Sequence, residues 1–170
     1  MSEEQKAEPS DFASVADFNS LYSSYTEARK GKRWKYAVCK YEANILENLM
    51  FIHFMLTSHK YRLSPYNCFI VKEPKERLIM YNSFRDKIVQ HSLCDNVLEP
   101  VLSKTFIYDN YASQKGKGTH FGLDRLKLFM QKFYRQHGTD GWVLKCDVRK
   151  YFYRIDHDVL KSQLRRLIKD

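Results

Sequence analysis

Apolar residues recur at steps of three and four along much of this 170-residue chain, the spacing that lines one face of an α-helix. Phe12, Val15, Phe18, Leu21, Tyr22 and Tyr25 predict one or two short helices between Phe12 and Arg29. Tyr41, Ile45, Leu49, Ile52 and Leu56 predict a longer one from Lys40 to about Ser58. Ile88, Val89, Leu93 and Val97 predict another from Arg85 to about Leu98, closed by Pro100. Leu123, Leu126, Phe129, Met130 and Phe133 make a further stripe, with Thr119 in place to cap its helix. A last helix follows Asp156 and carries Val159, Leu160, Leu164, Leu167 and Ile168. All these stripes read as core.

Two stretches break the helical rhythm. Phe69-Ile-Val-Lys72 and Arg77-Leu-Ile-Met80 flank the turn-like Glu73-Pro-Lys-Glu76 and predict a β-hairpin. Trp142, Val143 and Leu144 favour an extended segment buried on both faces, which delivers Asp147 at its exit and Phe152 five residues later. Read alone, Asp147 is equally a cap for the following turn. The class is α+β. Residues 1–11 are polar and carry Pro9, as a frayed terminus does.

Composition narrows the partners. An apolar content of 44% suffices for a core, and 29 Lys and Arg against 20 Asp and Glu give a net charge of +9, which favours nucleic acid or another polyanion. Cys39, Cys68, Cys94 and Cys146 lie far apart without a CxxC pair, pointing to a reduced compartment rather than a disulfide framework or zinc ribbon. His91 and Cys94 can share a helix face, though a buried pair without metal is the ordinary reading. No secretory signal opens the chain and no apolar run approaches bilayer length, so the expectation is a cytoplasmic protein with no membrane partner.

Cations cluster in three places. Arg29, Lys30, Lys32 and Arg33 surround Gly31 just before Trp34 and Lys35, a composition suited to phosphate contacts with a stacking option; a solvated basic turn is the plainer alternative. If the hairpin pairs, Lys72, Lys75 and Arg77 gather at one end of a stiff ribbon able to grip the phosphates of a nucleotide. The plainer reading there is lysine protecting an exposed edge. Lys115 and Lys117 stand in a loop whose Gly116-x-Gly118 spacing is no phosphate-loop motif by itself.

Taken in order, the segments resemble the fingers and first palm segment of bacterial reverse transcriptases, especially those related to group II introns, retrons and diversity-generating retroelements. The resemblance rests on Tyr66-Asn-Cys-Phe69, Glu73-Pro-Lys-Glu-Arg77, Phe84-Arg-Asp-Lys-Ile-Val-Gln90, Leu98-Glu-Pro100, Asn110-Tyr-Ala112, Lys115-Gly-Lys-Gly-Thr-His120, and Cys146-Asp-Val-Arg-Lys-Tyr-Phe152 through Ile155-Asp-His157. Lys87 stands where Arg is commoner, Gln114 at a position often filled by Arg, and Tyr153 in place of a frequent Asp.

The resemblance implies a mostly helical fingers region with a β-hairpin over residues 12–140. Residues 141–170 would then hold the first strand and helix of a right-hand polymerase palm. It implies that Asp147 is the first metal-binding aspartate, with the Val148 carbonyl beside the second metal, and that Phe152 closes against the nucleotide sugar. Lys72 and Arg77 would bind the triphosphate with Arg85 in support, and Lys115 and Lys117 would follow the template or primer backbone. The implied activity is RNA-directed DNA synthesis on an RNA template and DNA primer, with dNTP substrates and two magnesium ions. Such chemistry holds the ions about 3.5 to 4 Å apart between several carboxylates. In this family the others belong to a downstream Tyr-x-Asp-Asp hairpin, and no Asp-Asp pair occurs in the sequence. The expectation is therefore an N-terminal fragment that is inactive alone. A non-catalytic RNA-binding module using the hairpin and the Arg29 to Lys35 patch is the alternative, and a purely structural helical domain is a second.

Overall fold

The computed structural model describes residues 11–168; the terminus expected to fray lies, apart from Asp11, outside the described residues. The chain mixes helices with one two-stranded antiparallel sheet. It divides into two compact units, with the boundary between Val101 and Leu102. The boundary expected between residues 140 and 141 falls inside the second unit.

The first unit is built on helices α1 (Asp11–Ala16), α2 (Phe18–Arg29), α3 (Tyr36–Ala43), α4 (Ile45–Thr57) and α5 (Phe84–Leu93), with strands β1 (Asn67–Val71) and β2 (Arg77–Tyr81) between α4 and α5. Asp17 separates α1 from α2 because its carboxylate accepts the Ser20 amide at 3.0 Å, satisfying a donor the first turn leaves free. On α2, Leu21, Ser24, Tyr25 and Ala28 lie one turn apart and are all buried. Leu21, Tyr25 and Ala28 meet Leu49, Ile52 and Leu56 of α4 and Ile88 of α5 in one core. Leu21, Leu49, Ile52 and Ile88 are wholly buried, each contributing about 1.5–3 kcal/mol.

The helix expected from Lys40 to Ser58 is two helices that break at Asn44 (φ −127°, ψ 48°). The Asn48 amide donates to the Tyr41 carbonyl at 3.0 Å, satisfying an acceptor that the break releases. Beyond α5 the helix widens into a π turn over Cys94–Leu98 and continues as the short α6 (Glu99–Leu102). Ser92, fully buried, donates to the Val15 carbonyl at 2.8 Å and fastens α5 to α1.

The second unit carries α7 (Thr119–His137) and α8 (His157–Leu167). Gly118 holds the cap position of α7 without a side-chain bond, so Thr119 is not the cap: it already lies in the first turn. Asp156 does cap α8, accepting the Asp158 and Val159 amides at 2.9 and 3.1 Å. None of residues 102–168 is buried. The apolar stripes of α7 and α8 keep their helical spacing but stand exposed, at 58% for Met130 and 54% for Val159, and are not core. Among the described residues no helix is long and apolar enough to cross a membrane.

Candidate functional site

The hairpin is where the cations gather. Register pairs Phe69 with Ile79 and Val71 with Arg77, so residues 72–76 form the connection and Lys72 and Arg77 meet at the same end. Phe69, Val71, Arg77, Ile79 and Tyr81 share a face because side chains alternate along a strand. The diagonal pair Phe69 and Tyr81 sits edge to face with ring centroids 5.9 Å apart. The connection includes a cis Glu73–Pro74 bond. Lys72, Lys75 and Arg77 are exposed, and among the described residues no carboxylate lies within 4.0 Å of any of them. Glu73 and Glu76 share the tip without pairing to them.

The basic turn between α2 and α3 is arranged differently. Gly31, at φ +66°, takes the left-handed conformation that reverses the chain. Glu42 of α3 then receives Arg29 at 2.9 Å, Arg33 at 3.2 Å and the Tyr25 hydroxyl at 2.8 Å. The Arg29 hydrogen bond, followed by that of Tyr25, holds the Glu42 carboxyl below its usual range. Burial and then Glu42 push the Tyr25 phenol up. Lys30 pairs with Glu27, and Lys32 donates to the Ala28 carbonyl at 3.1 Å. Lys35 lies over the Trp34 ring at 5.2 Å. Lys87 on α5 is held below the ordinary lysine range by desolvation and then by the charges of Lys32 and Lys35.

At the start of α5, Ser83 caps the helix, accepting the Asp86 amide at 3.2 Å. Asp86 is fully buried and accepts from the Tyr61 hydroxyl at 2.6 Å, the Ser83 hydroxyl at 2.7 Å and the Ser64 amide at 3.1 Å. Desolvation raises its carboxyl, but the hydrogen bonds of Tyr61, Ser83 and Ser64 together outweigh it and leave it below the usual range. Arg85 donates to the Ser64 hydroxyl at 3.0 Å. Its guanidinium lies 5.7 Å from the Phe51 and Tyr61 rings.

The remaining expected site residues belong to the second unit. Lys117 is not a free loop cation: its ammonium donates to the Tyr108 carbonyl at 2.7 Å and lies over the Tyr108 and Phe121 rings at 4.8 and 5.2 Å. Arg125, paired with Asp109, approaches the Tyr108 ring at 5.0 Å. Lys115 is exposed. The segment from Trp142 to Asp147 forms no strand, and Trp142, Val143 and Leu144 are 99%, 89% and 88% exposed. A strand needs a neighbour to take its backbone hydrogen bonds, and the described residues supply none there. Asp147 and Val148 are exposed on this irregular stretch, and Phe152 stands in the 3₁₀ turn Tyr151–Arg154. At 82% exposure Phe152 is not core packing.

Magnesium takes six oxygen ligands in near-octahedral geometry. Among the described residues no group of three or more His, Cys, Asp and Glu side chains gathers around Asp147. One carboxylate and one carbonyl do not form a magnesium site by themselves. The pairing of Arg29 and Arg33 with Glu42, and the environment of Tyr41 and Arg85, had no signal in sequence spacing. No protein-family model matches the chain, and no curated protein matches it.

Proposed function

We propose that this chain is the fingers region and palm entry of an RNA-directed DNA polymerase. On this reading Lys72 and Arg77 grip the triphosphate of the incoming deoxynucleotide, Arg85 supports them, and Asp147 is one carboxylate ligand of the magnesium site. The observation that carries the reading is the hairpin register, Val71 opposite Arg77. It brings Lys72 and Arg77 to one end of a ribbon with no carboxylate among the described residues bound to either, so both charges are available to phosphate oxygens. The ordered sequence segments around it support the same reading.

The test is binding of a fluorescent deoxynucleoside triphosphate to the 170-residue chain. Lys72→Ala and Arg77→Ala are each expected to weaken it roughly fivefold, equivalent to about 1 kcal/mol, and to leave affinity for the uncharged nucleoside unchanged. Triphosphate binding indifferent to both substitutions overturns the assignment. Templated primer extension is not expected from this chain, because the sequence lacks the Asp-Asp pair that would complete the metal ligands. Clear extension products would sink that part of the reading.

A further inference from the structure

Two buried side-chain atoms among the described residues have no hydrogen-bond partner, the Tyr41 hydroxyl and the Arg85 Nε. Both residues line the same cleft of about 690 Å³ in the first unit, bounded by α3, the start of α4, Ser64 and the start of α5. A buried polar group without a partner costs about 1–3 kcal/mol, and folded proteins rarely leave one. Two at one cleft mark a place where a partner belongs.

The donor set says what kind of partner. Arg85 Nε can only donate. Burial pushes the Tyr41 phenol up despite the opposing charge of Arg85, so its hydroxyl stays protonated and able to donate. Lys40 adds an exposed ammonium at the cleft wall. No Asp or Glu lines the cleft, and the adjacent Asp86 has its oxygens committed to Tyr61, Ser83 and Ser64. Arg85 has no carboxylate within 4.0 Å among the described residues. Two positive charges and a phenol donor without a counter-charge fit an oxyanion. The volume lies in the range of small-molecule sites, and Tyr36, 79% exposed at the cleft, offers a flat face on which a base can stack.

We infer that the Tyr41–Arg85 cleft binds a phosphate group of a nucleotide unit, with the phosphate on Arg85, Tyr41 and Lys40 and the base against Tyr36. Lys72, Lys75 and Arg77 do not line it, so the inference does not depend on the hairpin, although Arg85, which the polymerase reading sets in support of the hairpin cations, is shared by the two. The phosphate belongs either to a free mononucleotide or to a single-stranded nucleic acid backbone.

Nitrogen–proton correlation spectra of the full 170-residue chain test it, following the Arg85 Nε–H signal during titration with inorganic phosphate, uridine, dUMP and a five-residue oligouridylate. Phosphate, dUMP and the oligomer are expected to shift the signal saturably, and uridine is not. A backbone source predicts tighter binding of the oligomer than of dUMP; a free nucleotide predicts the reverse. Tyr41→Phe removes a hydroxyl without a partner, so the unliganded protein is expected to melt no lower than the parent while phosphate affinity falls about tenfold. Arg85→Gln is expected to abolish binding, and the thermal scan on Tyr41→Phe keeps the result readable if that variant folds poorly. An Arg85 signal indifferent to all three phosphates overturns the inference. So does a Tyr41→Phe protein that melts lower with unchanged affinity, which would mean that the hydroxyl is structural and held by water. In Lys72→Ala/Arg77→Ala the Arg85 shift is expected to persist, so failure at the hairpin and failure at the cleft are told apart.

Discussion

Five cations crowd the turn from Arg29 to Lys35, while three stand between Lys72 and Arg77. Composition alone makes the turn the stronger polyanion site. Yet Arg29 and Arg33 are spent on Glu42, Lys30 on Glu27 and Lys32 on the Ala28 carbonyl, so that charge closes the junction of α2 and α3. The hairpin cations have no such partners among the described residues, and the antiparallel register holds their backbones together. What a basic segment can do for a ligand depends on which carboxylates the fold brings against it, and the separation of Arg29 from Glu42 is a tertiary fact.

Salt dependence breaks or sharpens the comparison most directly. Each phosphate contact contributes about 0.7–0.9 to the slope of log affinity against log salt. Replacing Lys72, Lys75 and Arg77 by Ala is therefore expected to lower the slope for an RNA–DNA duplex by about two to three, with little change in melting temperature. Arg29→Ala/Arg33→Ala is expected to lower the slope by less than one while reducing the melting temperature. Fluorescence anisotropy at several salt concentrations, with thermal scans alongside, reads both, and equal slopes for the two sets would erase the distinction.

Glu42→Gln should exchange the roles. It releases Arg29 and Arg33 and is expected to raise the duplex slope by about one to two while lowering the melting temperature. Protonation does the same reversibly. The folded Glu42 carboxyl lies below its unfolded value near 4.3, so its stabilisation is complete above that pH and is lost as pH falls through the folded value. Asp86 is lowered likewise, so its stabilisation too is lost only on the acid side of its unfolded value near 3.9. The part of the acid-induced drop in melting temperature that disappears in Glu42→Gln is the part due to Glu42. A smaller effect belongs to Tyr25→Phe, which removes the partly buried hydrogen bond donated to Glu42 and the one accepted from Arg29. About 0.5–1.5 kcal/mol of stability should be lost in denaturant titration, with the hairpin's affinity unchanged.

The hairpin was legible in the sequence because its evidence is local: β-favouring residues on either side of a proline-bearing turn. Most helices of the first unit were legible for the same reason, as was the Asp156 cap, but α3 begins at Tyr36, ahead of the expected start at Lys40, and Pro100 lies within α6 instead of closing the helix before it. The break at Asn44 was hidden because a one-residue interruption leaves Tyr41, Ile45, Leu49, Ile52 and Leu56 at nearly helical spacing. Periodicity on α7 revealed an apolar face but not what covers it. Trp142 to Leu144 read as a strand from composition, and a strand is defined by a neighbour that composition does not name. Among site residues, the shared end of Lys72 and Arg77 followed from predicted pairing. The fastening of Lys117 onto Tyr108 and the meeting of Tyr41 with Arg85 depend on chain segments brought together by folding.

The Asp86 carboxylate has a consequence for how the hairpin can change. It accepts from the Ser64 amide before β1 and from the Ser83 hydroxyl after β2, and the two serine hydroxyls themselves lie 3.4 Å apart. The ends of the ribbon are thus joined at its base, and everything between Ser64 and Ser83 is a loop already closed. Closure entropy grows only with the logarithm of loop length, by about 0.6 kcal/mol per doubling. Residues inserted between Lys72 and Arg77 would leave the anchoring of α5 intact, so the reach of the cationic tip can lengthen or shorten while the helical core beneath it keeps its packing.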